Sequence, residues 1–407
     1  MTVVAVERLA AGGDGVGHLP DGLTVFIPRT APGDLVEVAV RERHPRFARA
    51  ESNGLVRAGP GRVAPECPHY VDDRCGACRL QHLAYPVHLE SKAQWIGDAL
   101  RRIGHRMVPD PVVRPAGRRW HYRRKLALGR GRIEGFGLHR YDDPARAFSP
   151  RECRLADERV MDAWRALDTE WDLRKSGVTR CVIWLDPDDG IQVLLRGEGE
   201  APEVPPGFAG VRQWWWQRGR GRPVAFGSAP DERRSGLTPR VFEQVDRGAA
   251  GELRRTAAGW VGAGPGRLIW DLYGGTGEGA ADMAAAGAEV WSVDVDADAH
   301  RQPRSGVEFV TGRVEHVLDR LPEPDAIIVN PPRAGLDRKV SARIEAWGRT
   351  GSGRRMAYIS CDPATLARDL ARMPGLAIDT VDAVDLFPQT AHVETLVLLQ
   401  GPAGEGP

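Results

Sequence analysis

Strand and helix patterns alternate from residue 236 to the end of this 407-residue chain, and that alternation restricts the fold more than any other feature. Apolar runs that predict strands lie at 267–272, 288–294, 307–311, 325–330, 355–361, 376–386 and 394–400. Helical segments separate most of them, which predicts a mostly parallel, Rossmann-like sheet. The last two runs leave little room for a helix and therefore predict an antiparallel hairpin. Ligands of such sheets bind beyond the carboxyl ends of the strands.

Residues 1–62 follow a different pattern, in which short apolar runs are separated by turns that contain glycine and proline. Val25–Ile27 and Leu35–Val40 predict strands. Several short strands at this spacing predict a small β-barrel of the OB-like kind, which often binds oligonucleotides. The fold alone does not establish that function.

Residues 63–235 mix both kinds of structure. A helical stretch is predicted at 86–104, and apolar strands are predicted near Cys181–Leu185 and Ile191–Leu195. We therefore expect an α/β protein with three domains, namely the barrel at 1–62, a central α+β domain at 63–235 and the Rossmann-like domain at 236–407.

The net charge of +1 conceals an uneven distribution of charge. Residues 101–154 contain 14 arginines and one lysine against five acidic residues, whereas residues 261–407 contain 14 basic and 21 acidic residues. A basic segment of this kind is the electrostatic footprint of a polyanionic partner such as RNA. The alternative is a solvated basic surface without a partner.

The sequence also bears on the compartment. It contains no run of about 18 apolar residues, so no membrane span is expected. The N-terminus lacks the basic start and apolar core of a secretory signal. We therefore expect a cytoplasmic protein, in which grouped cysteines indicate a metal site or catalysis rather than disulfides.

A glycine-rich turn predicts the cofactor site. Gly275-Thr276-Gly277 follows an apolar strand and opens a helix, where the backbone can approach a ligand closely. Asp294 ends the next strand, where a carboxylate can accept hydrogen bonds from ribose hydroxyls. These residues fit S-adenosylmethionine or a dinucleotide. Asn330-Pro331-Pro332-Arg333 ends the fourth strand and is of a type that methyltransferases use beside the reacting methyl group. It favours S-adenosylmethionine and a class I methyltransferase core.

Two further stretches place a thiol and a carboxyl group at the same edge of the sheet. Cys361 ends the fifth strand in Ser360-Cys361-Asp362-Pro363, and Glu394 begins the last strand. Methylation of a uracil at C5 needs this pair, because a thiolate must add to C6 before C5 can attack a methyl donor. A base must then remove the C5 proton. The spacing therefore indicates Cys361 as the nucleophile and Glu394 as the base.

Other interpretations of these residues remain open at this stage. Cys361 alone is compatible with a buried apolar role, and Glu394 alone with a surface or structural role. The Asn330–Arg333 motif resembles that of amino-methyltransferases, although those enzymes use an aromatic fourth residue and no cysteine. A non-catalytic RNA-binding protein and a dinucleotide oxidoreductase are the alternatives from other functional classes.

Taken together, these stretches resemble the RNA (uracil-5-)-methyltransferase family over nearly the whole chain. Residues 1–62 are similar to a TRAM domain, an RNA-binding β-barrel. The segments Leu237–Pro239 and Phe242–Val245 resemble the family's entry into the catalytic domain. The stretches around Cys361 and Glu394 are the most specific parts of the resemblance.

The resemblance implies roles for individual residues. Cys361 would be the nucleophile and Glu394 the base. Phe242 would lie near a flipped base, and Tyr122–Lys125 would face RNA. The positions that would contact S-adenosylmethionine are Gln244, Tyr273, Glu278, Asp294 and Asn330, together with the turn glycines Gly275 and Gly277.

Four positions depart from the family's usual residues. The family often has cysteine at Gly274, and asparagine at Asp362 and Arg124. Arg313 stands where an acidic or amide residue is usual, which affects the expected contacts with adenine. None of these changes removes the nucleophile or the base, so we still expect an active enzyme.

Four of the six cysteines form a C-x7-C-x2-C…C pattern that consists of Cys67, Cys75, Cys78 and Cys153. Four thiolates suit a [4Fe-4S] cluster or a structural zinc ion, and the spacing alone does not choose between them. The family resemblance favours the iron–sulfur cluster. Cys181 lies in an apolar run and is expected to be ordinary core.

A barrel combined with a cysteine cluster resembles the members that act on 23S rRNA more than those that act on tRNA, which commonly lack both features. Nothing in the sequence requires more than a monomer. The run Trp214–Trp216 has two interpretations, a base-stacking platform or sheet core, and we favour core.

Overall fold

The computed structural model describes residues 2–115, 117–171, 173, 177–204, 210–227, 247–296, 304–351 and 353–402. The chain forms two compact units. The first unit comprises Met1–Ser91, Arg118–Pro239 and Pro388–Ala391, and the second comprises Lys92–Gly117, Arg240–Phe387 and His392–Pro407.

The N-terminal part of the first unit is a curled six-stranded sheet. Its strands are β1 (Thr2–Ala5), β2 (Arg8–Leu9), β3 (Gly15–His18), β4 (Thr24–Ile27), β5 (Leu35–Arg43) and β6 (Ala48–Arg57), in the order β1-β5-β6-β4-β3-β2. Val25 and Ile27 of β4 and Val36 and Val38 of β5 point into one apolar core. Along these strands buried residues alternate with outward ones, as expected for a sheet that covers a core with one face. The predicted barrel-like fold is confirmed.

The middle of the chain supplies the second sheet of the first unit. Its elements are α1 (Pro68–Val71), α2 (Tyr85–Arg102), β7 (Val113–Pro115), β8 (Lys125–Arg130), β9 (Phe136–His139), β10 (Ala147–Phe148), α3 (Glu158–Glu170), β11 (Val178–Leu185), β12 (Ile191–Gly197), β13 (Val211–Arg218) and β14 (Val224–Phe226). Seven of these strands form a sheet in the order β10-β9-β8-β11-β12-β13-β14. Trp214 and Trp216 of β13 are buried, which supports the sheet-core interpretation of the tryptophan run.

The second unit contains the predicted alternation of strands and helices. Its elements are α4 (Arg247–Trp260), β15 (Leu268–Leu272), α5 (Glu278–Ala285), β16 (Glu289–Asp294), β17 (Val307–Thr311), α6 (Val314–Val317), β18 (Ala326–Val329), α7 (Arg338–Thr350), β19 (Arg355–Ser360), α8 (Pro363–Ala371), β20 (Ala377–Asp385) and β21 (Glu394–Gln400). A short 3-10 helix, Leu318–Arg320, follows α6.

The sheet of the second unit has the order β17-β16-β15-β18-β19-β21-β20-β7. Strands β15 to β19 are parallel, and β21 is antiparallel to both β19 and β20, which confirms the predicted closing hairpin. Strand β7 adds to the edge beside β20 and was not predicted. All residues of β18 are buried, as expected for a parallel strand covered on both faces. The carboxyl ends of the parallel strands form one edge, which carries the residues considered next.

Within the described part of the chain, no helix combines the length and the apolar character needed to cross a membrane.

Candidate active site

Cys361 and Glu394 face each other at the carboxyl edge of the second unit's sheet. Strands β19 and β21 pair with Ser360 opposite Thr395. Continuing this antiparallel register by one residue sets Cys361 opposite Glu394. Residues in such positions usually have their Cβ atoms about 5 Å apart. The fold therefore brings the predicted nucleophile and the predicted base together.

Burial controls the ionisation of both groups. Glu394 is 2% exposed, and removal from water raises the pKa of its carboxyl group to about 8. Burial also raises the pKa of the Cys361 thiol, and the negative charge of Glu394 raises it further. A protonated carboxyl group and a neutral thiol are therefore the favoured forms at neutral pH, and both reactive forms become more abundant as the pH rises.

Arg333 is the positive charge that opposes both shifts. Its guanidinium group lies close enough to Cys361 to lower the pKa of that thiol, and it also lowers the pKa of Glu394. Its Nη2 lies 3.2 Å from His392 Nε2. From the sequence, Arg333 stands out only as the last residue of the proline motif. Its closeness to the thiol depends on the pairing of strands that are distant in sequence.

The glycine turn after β15 has the geometry of a ligand-binding loop. Tyr273, Gly275 and Gly277 adopt the left-handed conformation, with φ values of 63°, 55° and 69°. A Cβ atom at Gly277 would lie 2.7 Å from the Phe309 ring, so only glycine fits there without a shift. The Gly275 N–H donates to Asp294 Oδ2 at 3.0 Å, which fixes the predicted ribose-binding carboxylate against the turn.

The other predicted cofactor residues are distributed around this turn. Glu278 begins α5 and forms an ion pair with Arg254, at 2.8 Å. Asn330 follows β18, and its N–H donates to Leu272 O at 3.1 Å. Tyr273, Gly275, Gly277, Glu278, Asp294 and Asn330 thus share the carboxyl edge. Gln244 and Phe242, and the segment Leu237–Pro239, lie outside the described residues.

The structure gives a reason for one of the unusual residues. A Cβ atom at Gly274 would lie 2.3 Å from Ser292 Oγ and 2.5 Å from Asp271 Oδ2. Ser292 donates a hydrogen bond to that carboxylate at 3.1 Å. Burial raises the pKa of Asp271 to about 6, and the Ser292 bond opposes this rise. Glycine at 274 therefore leaves room for the Ser292–Asp271 pair.

The remaining departures make local contacts. Asp362 caps α8 by accepting the Thr365 N–H at 2.8 Å, a bond that asparagine would also make. Arg313 is 3.5 Å from Glu315. In the first unit, Arg124 donates to Asp186 O at 2.6 Å and pairs with Asp189 at 2.7 Å.

The segment Tyr122–Lys125 of the first unit is divided between core and surface. Tyr122 is buried and donates from its hydroxyl to Pro388 O at 2.8 Å, whereas Lys125 is exposed. The N–H groups of Arg79 and Leu80 donate to Gln389 O at 2.9 and 3.1 Å. Tyr122 therefore supports a turn of the chain rather than presenting its ring to a ligand.

A buried ion pair lies at the start of the segment that leads to Glu394. Lys92 and Asp385 have fully buried side chains, and Lys92 Nζ is 2.6 Å from Asp385 Oδ1. Lys92 also donates to Phe387 O at 3.2 Å, and the Phe387 N–H donates to Asp385 Oδ1 at 3.2 Å. Burial lowers the pKa of Lys92, and Asp385 opposes that effect.

Replacing Lys92 by methionine should destabilise the protein by about 3–5 kcal/mol, because the Asp385 charge would remain buried without its partner. Arg114→Met is the matched control. Arg114 pairs with Asp382 on the same strand at 2.7 Å, but this pair is partly exposed and should contribute less than about 1 kcal/mol. Urea unfolding measures the free energy of unfolding of both variants. Equal losses of stability would contradict the assignment of Lys92 and Asp385 as a buried ion pair.

The four cysteines of the predicted cluster line one cavity in the first unit. Cys67, Cys75, Cys78 and Cys153 are all buried around it. Burial raises the pKa of Cys67 and Cys78, and it raises that of Cys75 to about 12. Such thiols become thiolates only beside a compensating positive charge. Among the described residues, no set of three or more His, Cys, Asp or Glu is arranged to hold a metal ion.

Cationic and aromatic residues surround this cavity. Arg29 Nη2 donates to Cys75 O at 2.7 Å, and its guanidinium lies 3.8 Å from the Tyr70 ring centroid and 3.9 Å from that of Tyr141. Cys181 lies elsewhere, in strand β11, where it is fully buried. It is ordinary core, as expected.

Comparison with known proteins shows which fold and which relatives this chain resembles. A solved structure of Pyrococcus abyssi tRNA (uracil-54, C5)-methyltransferase with S-adenosyl-L-homocysteine has a TM-score of 0.74 and 23% identity. The match covers 98% of this chain and 100% of that one. The fold is therefore that of a methyltransferase with a Rossmann-like catalytic core. A family model for tRNA (uracil-5-)-methyltransferases matches residues 313–401, and a TRAM-domain model matches residues 3–52.

Two relatives extend the similarity along the chain. The chain is 29% identical over 439 residues to the 23S rRNA (uracil(1939)-C(5))-methyltransferase RlmD of Chromohalobacter salexigens, with 97% of this chain and 88% of that protein covered. It is also 29% identical over 446 residues to an uncharacterized RNA methyltransferase of Thermosynechococcus vestitus, with 97% and 96% covered. Over nearly its whole length the chain is therefore similar to RNA methyltransferases, and residues 313–401 are similar to tRNA (uracil-5-)-methyltransferases.

Proposed function

We propose that this protein uses S-adenosylmethionine to convert uridine to 5-methyluridine in RNA. The observation that carries the proposal is that Cys361, directly after β19, and Glu394, at the start of β21, lie beside each other at the sheet edge that also holds the glycine turn. Neither a dinucleotide oxidoreductase nor a binding module needs a thiol and a carboxyl group in this arrangement.

The reaction follows from the chemistry of the two groups. The Cys361 thiolate adds to C6 of the uracil, and the electron pair of the C5–C6 double bond forms an enolate through C5. C5 then attacks the methyl carbon of S-adenosylmethionine, and S-adenosylhomocysteine leaves. Glu394 removes the remaining C5 proton, the double bond re-forms, and the C6–sulfur bond breaks.

The chain's other residues would bind and orient the reactants. Asp294 would accept hydrogen bonds from the ribose of the cofactor, and the turn at Gly275 and Gly277 would let it approach the backbone. Gln244, Tyr273, Glu278 and Asn330 complete the proposed cofactor site. Arg333 would stabilise the Cys361 thiolate through its nearby positive charge.

The proposed substrate is 23S rRNA, with tRNA as the alternative. The name of the Chromohalobacter relative supports rRNA, whereas that of the Pyrococcus structure names tRNA. The TRAM match and the basic segment at 101–154 support an RNA partner. The target base would have to leave its stack, because C5 and C6 are otherwise hard to reach.

Labelled S-adenosylmethionine and separate samples of unmethylated rRNA and tRNA test this proposal. Nucleosides from the digested RNA would be separated and their masses measured. We expect 5-methyluridine from rRNA and none from tRNA. The reverse result would reassign the substrate, and a methyl group on an exocyclic nitrogen would contradict the proposed reaction.

We further propose that Cys67, Cys75, Cys78 and Cys153 hold a [4Fe-4S] cluster, with zinc as the less favoured alternative. Such a group would supply positive charge that stabilises the four thiolates and would cross-link the segments that carry them. Its proposed role is structural or in positioning RNA. Analysis of iron, sulfide and zinc in anaerobically purified protein separates the cluster from a zinc ion. We expect four iron atoms per chain, and a Cys75→Ser variant is the control.

The domain organisation, the oligomeric state and the cellular location are also part of the proposal. We propose the three-domain division at 1–62, 63–235 and 236–407, a monomer, and action in the cytoplasm. Size-exclusion chromatography with light scattering tests the monomer.

The pH dependence of the reaction follows from the raised pKa values. The thiol must be a thiolate and Glu394 must be a carboxylate, and the pKa of Glu394 lies near 8. Because the pKa of the Cys361 thiol is also raised above its ordinary value, we expect kcat/KM to rise with pH and to go on rising above pH 8. Single-turnover rates between pH 6 and 9 measure this profile. A rate that is independent of pH over this range would contradict the assignment of these groups.

A further inference from the structure

A buried carboxylate on α8 holds the loop that carries Arg333. Asp369 is fully buried, and its Oδ2 accepts the Leu336 N–H at 2.7 Å and the Tyr358 hydroxyl at 2.9 Å. Its Oδ1 accepts bonds from Arg368 Nε at 3.0 Å and from Arg372 Nη1 at 3.3 Å. Both oxygens of Asp369 are therefore engaged, and one of their partners is the backbone of the loop after the proline motif.

Other side chains of α8 hold the carbonyl groups of the same loop. Thr365 Oγ1 donates to Arg333 O at 3.1 Å, and Arg368 Nη2 donates to Ala334 O at 2.7 Å. Arg372 Nη1 donates to Leu336 O at 3.3 Å. One helix thus binds the backbone of residues 333–336 at four points, counting the bond from Leu336 to Asp369.

The loop passes so close to Asp369 that it needs a glycine. Gly335 has a φ of 76°, and a Cβ atom there would lie 2.3 Å from Asp369 Oδ2 and 2.3 Å from Thr365 Cγ2. This approach lets the carboxylate reach the next N–H group, that of Leu336. The glycine at position 335 is therefore needed for the hydrogen bond between the Leu336 N–H and Asp369.

The same helix is joined directly to the nucleophile. Helix α8 begins at Pro363, two residues after Cys361, and Asp362 caps it. A contact that fixes the 333–336 loop on α8 therefore also fixes Arg333 relative to Cys361. Since the Arg333 guanidinium lies close to the thiol and 3.2 Å from His392 Nε2, small movements of the loop would change its distance from Cys361.

We propose that Asp369 is a positioning residue that holds the 333–336 loop on α8 and thereby keeps the Arg333 guanidinium against the Cys361 thiol. The importance of Asp369 for catalysis rests on the proposed function. Its effect on the position of Arg333 relative to Cys361 does not. An Asp369→Asn substitution keeps the shape of the side chain and removes the charge that organises Arg368 and Arg372.

Alkylation of Cys361 by iodoacetamide tests the inference without RNA. The variants are Asp369→Asn, Arg333→Ala and the double variant. Mass spectrometry of the peptide that contains Cys361 measures the rate of alkylation between pH 6 and 9.5. We expect each single variant to react roughly tenfold more slowly than the wild type at pH 8, with the pH midpoint moved upward. The double variant should react no more slowly than Arg333→Ala, because Asp369 acts through Arg333.

Turnover supplies the second readout. Asp369→Asn should lower kcat for 5-methyluridine formation by roughly tenfold or more, while KM for S-adenosylmethionine changes less than about twofold. Glu345→Gln is the matched control. Glu345 also accepts a backbone N–H, that of Gly375 at 3.0 Å, and pairs with an arginine, but its loop carries none of the site residues. It should leave alkylation and kcat unchanged.

Arg368→Met extends the test to a partly exposed residue. It removes the bond to Ala334 O and should shift alkylation in the same direction by a smaller amount, even if Asp369→Asn does not fold. A wild-type alkylation profile in Asp369→Asn or in Arg368→Met would overturn the inference, as would losses that add in the double variant. If the wild-type protein forms no 5-methyluridine, the proposed function fails while the alkylation cycle still decides the role of Asp369.

Discussion

Cys361→Ala should lose formation of 5-methyluridine by about four orders of magnitude or more, because it removes the thiolate that adds to C6 of the uracil. Without that bond, C5 is not nucleophilic enough to take the methyl group. Cys361→Ser should be nearly as inactive, since a hydroxyl group ionises far less readily than a thiol. Single-turnover methylation with labelled cofactor measures both rates.

Binding of the cofactor separates this effect from misfolding. Cys361→Ala should bind S-adenosylmethionine as the wild type does in calorimetry, because the glycine turn and Asp294 are unchanged. Cys181→Ala is the matched control, since Cys181 is a buried thiol of the other unit and should affect only stability. Near wild-type methylation by Cys361→Ala would remove the proposed mechanism.

Glu394→Gln should separate methyl transfer from release of the product. The amide cannot take the C5 proton, so the methylated base should remain bound to Cys361 and turnover should fall by roughly a thousandfold. We expect a protein–RNA complex that survives denaturing electrophoresis and contains the transferred methyl group. Glu345→Gln again provides the control and should not accumulate the complex. Normal turnover by Glu394→Gln would assign the base to another group.

The same substitution should change stability in a pH-dependent way. The folded-state pKa of Glu394, about 8, lies above its usual value of 4.5. Between these values the folded protein retains a proton that the unfolded chain has released, so this group's contribution to stability falls as the pH rises. Above about pH 8, Glu394→Gln should therefore be more stable than the wild type by a few kcal/mol, on the order of 1.4 kcal/mol per pKa unit. Near pH 4.5 the two should be similar, and thermal unfolding measures the difference.

The sequence predicts the catalytic sheet well because its strands are continuous apolar runs. Strands β15 to β21 lie within one residue of the predicted bounds at each end. Cys361 and Glu394 were predicted at the same edge because Cys361 ends the fifth predicted strand and Glu394 begins the last strand, which runs in the opposite direction. Their direct opposition required the register of β19 and β21, which periodicity does not determine.

Contacts between distant parts of the chain could not be predicted in this way. Lys92 and Asp385 are 293 residues apart, and neither residue type indicates a buried pair. Strand β7 joins the edge of the catalytic sheet from the middle of the chain. One local feature of the sequence indicates that Asp369 is buried. It lies on the same face of α8 as Leu366 and Leu370, where a carboxylate needs hydrogen-bond partners. The identity of those partners depends on the loop after β18.

The central claim is that Cys361 forms a covalent bond to the uracil that is methylated. RNA of the class that the protein methylates, prepared with 5-fluorouridine in place of uridine, tests this claim directly. Fluorine at C5 cannot be removed as a proton, so the methylated adduct should remain on the enzyme. After protease and nuclease digestion, the account predicts one methylated fluorouridine nucleotide on the peptide that contains Cys361. A nucleotide on another residue, or methyl transfer without any adduct, would contradict it.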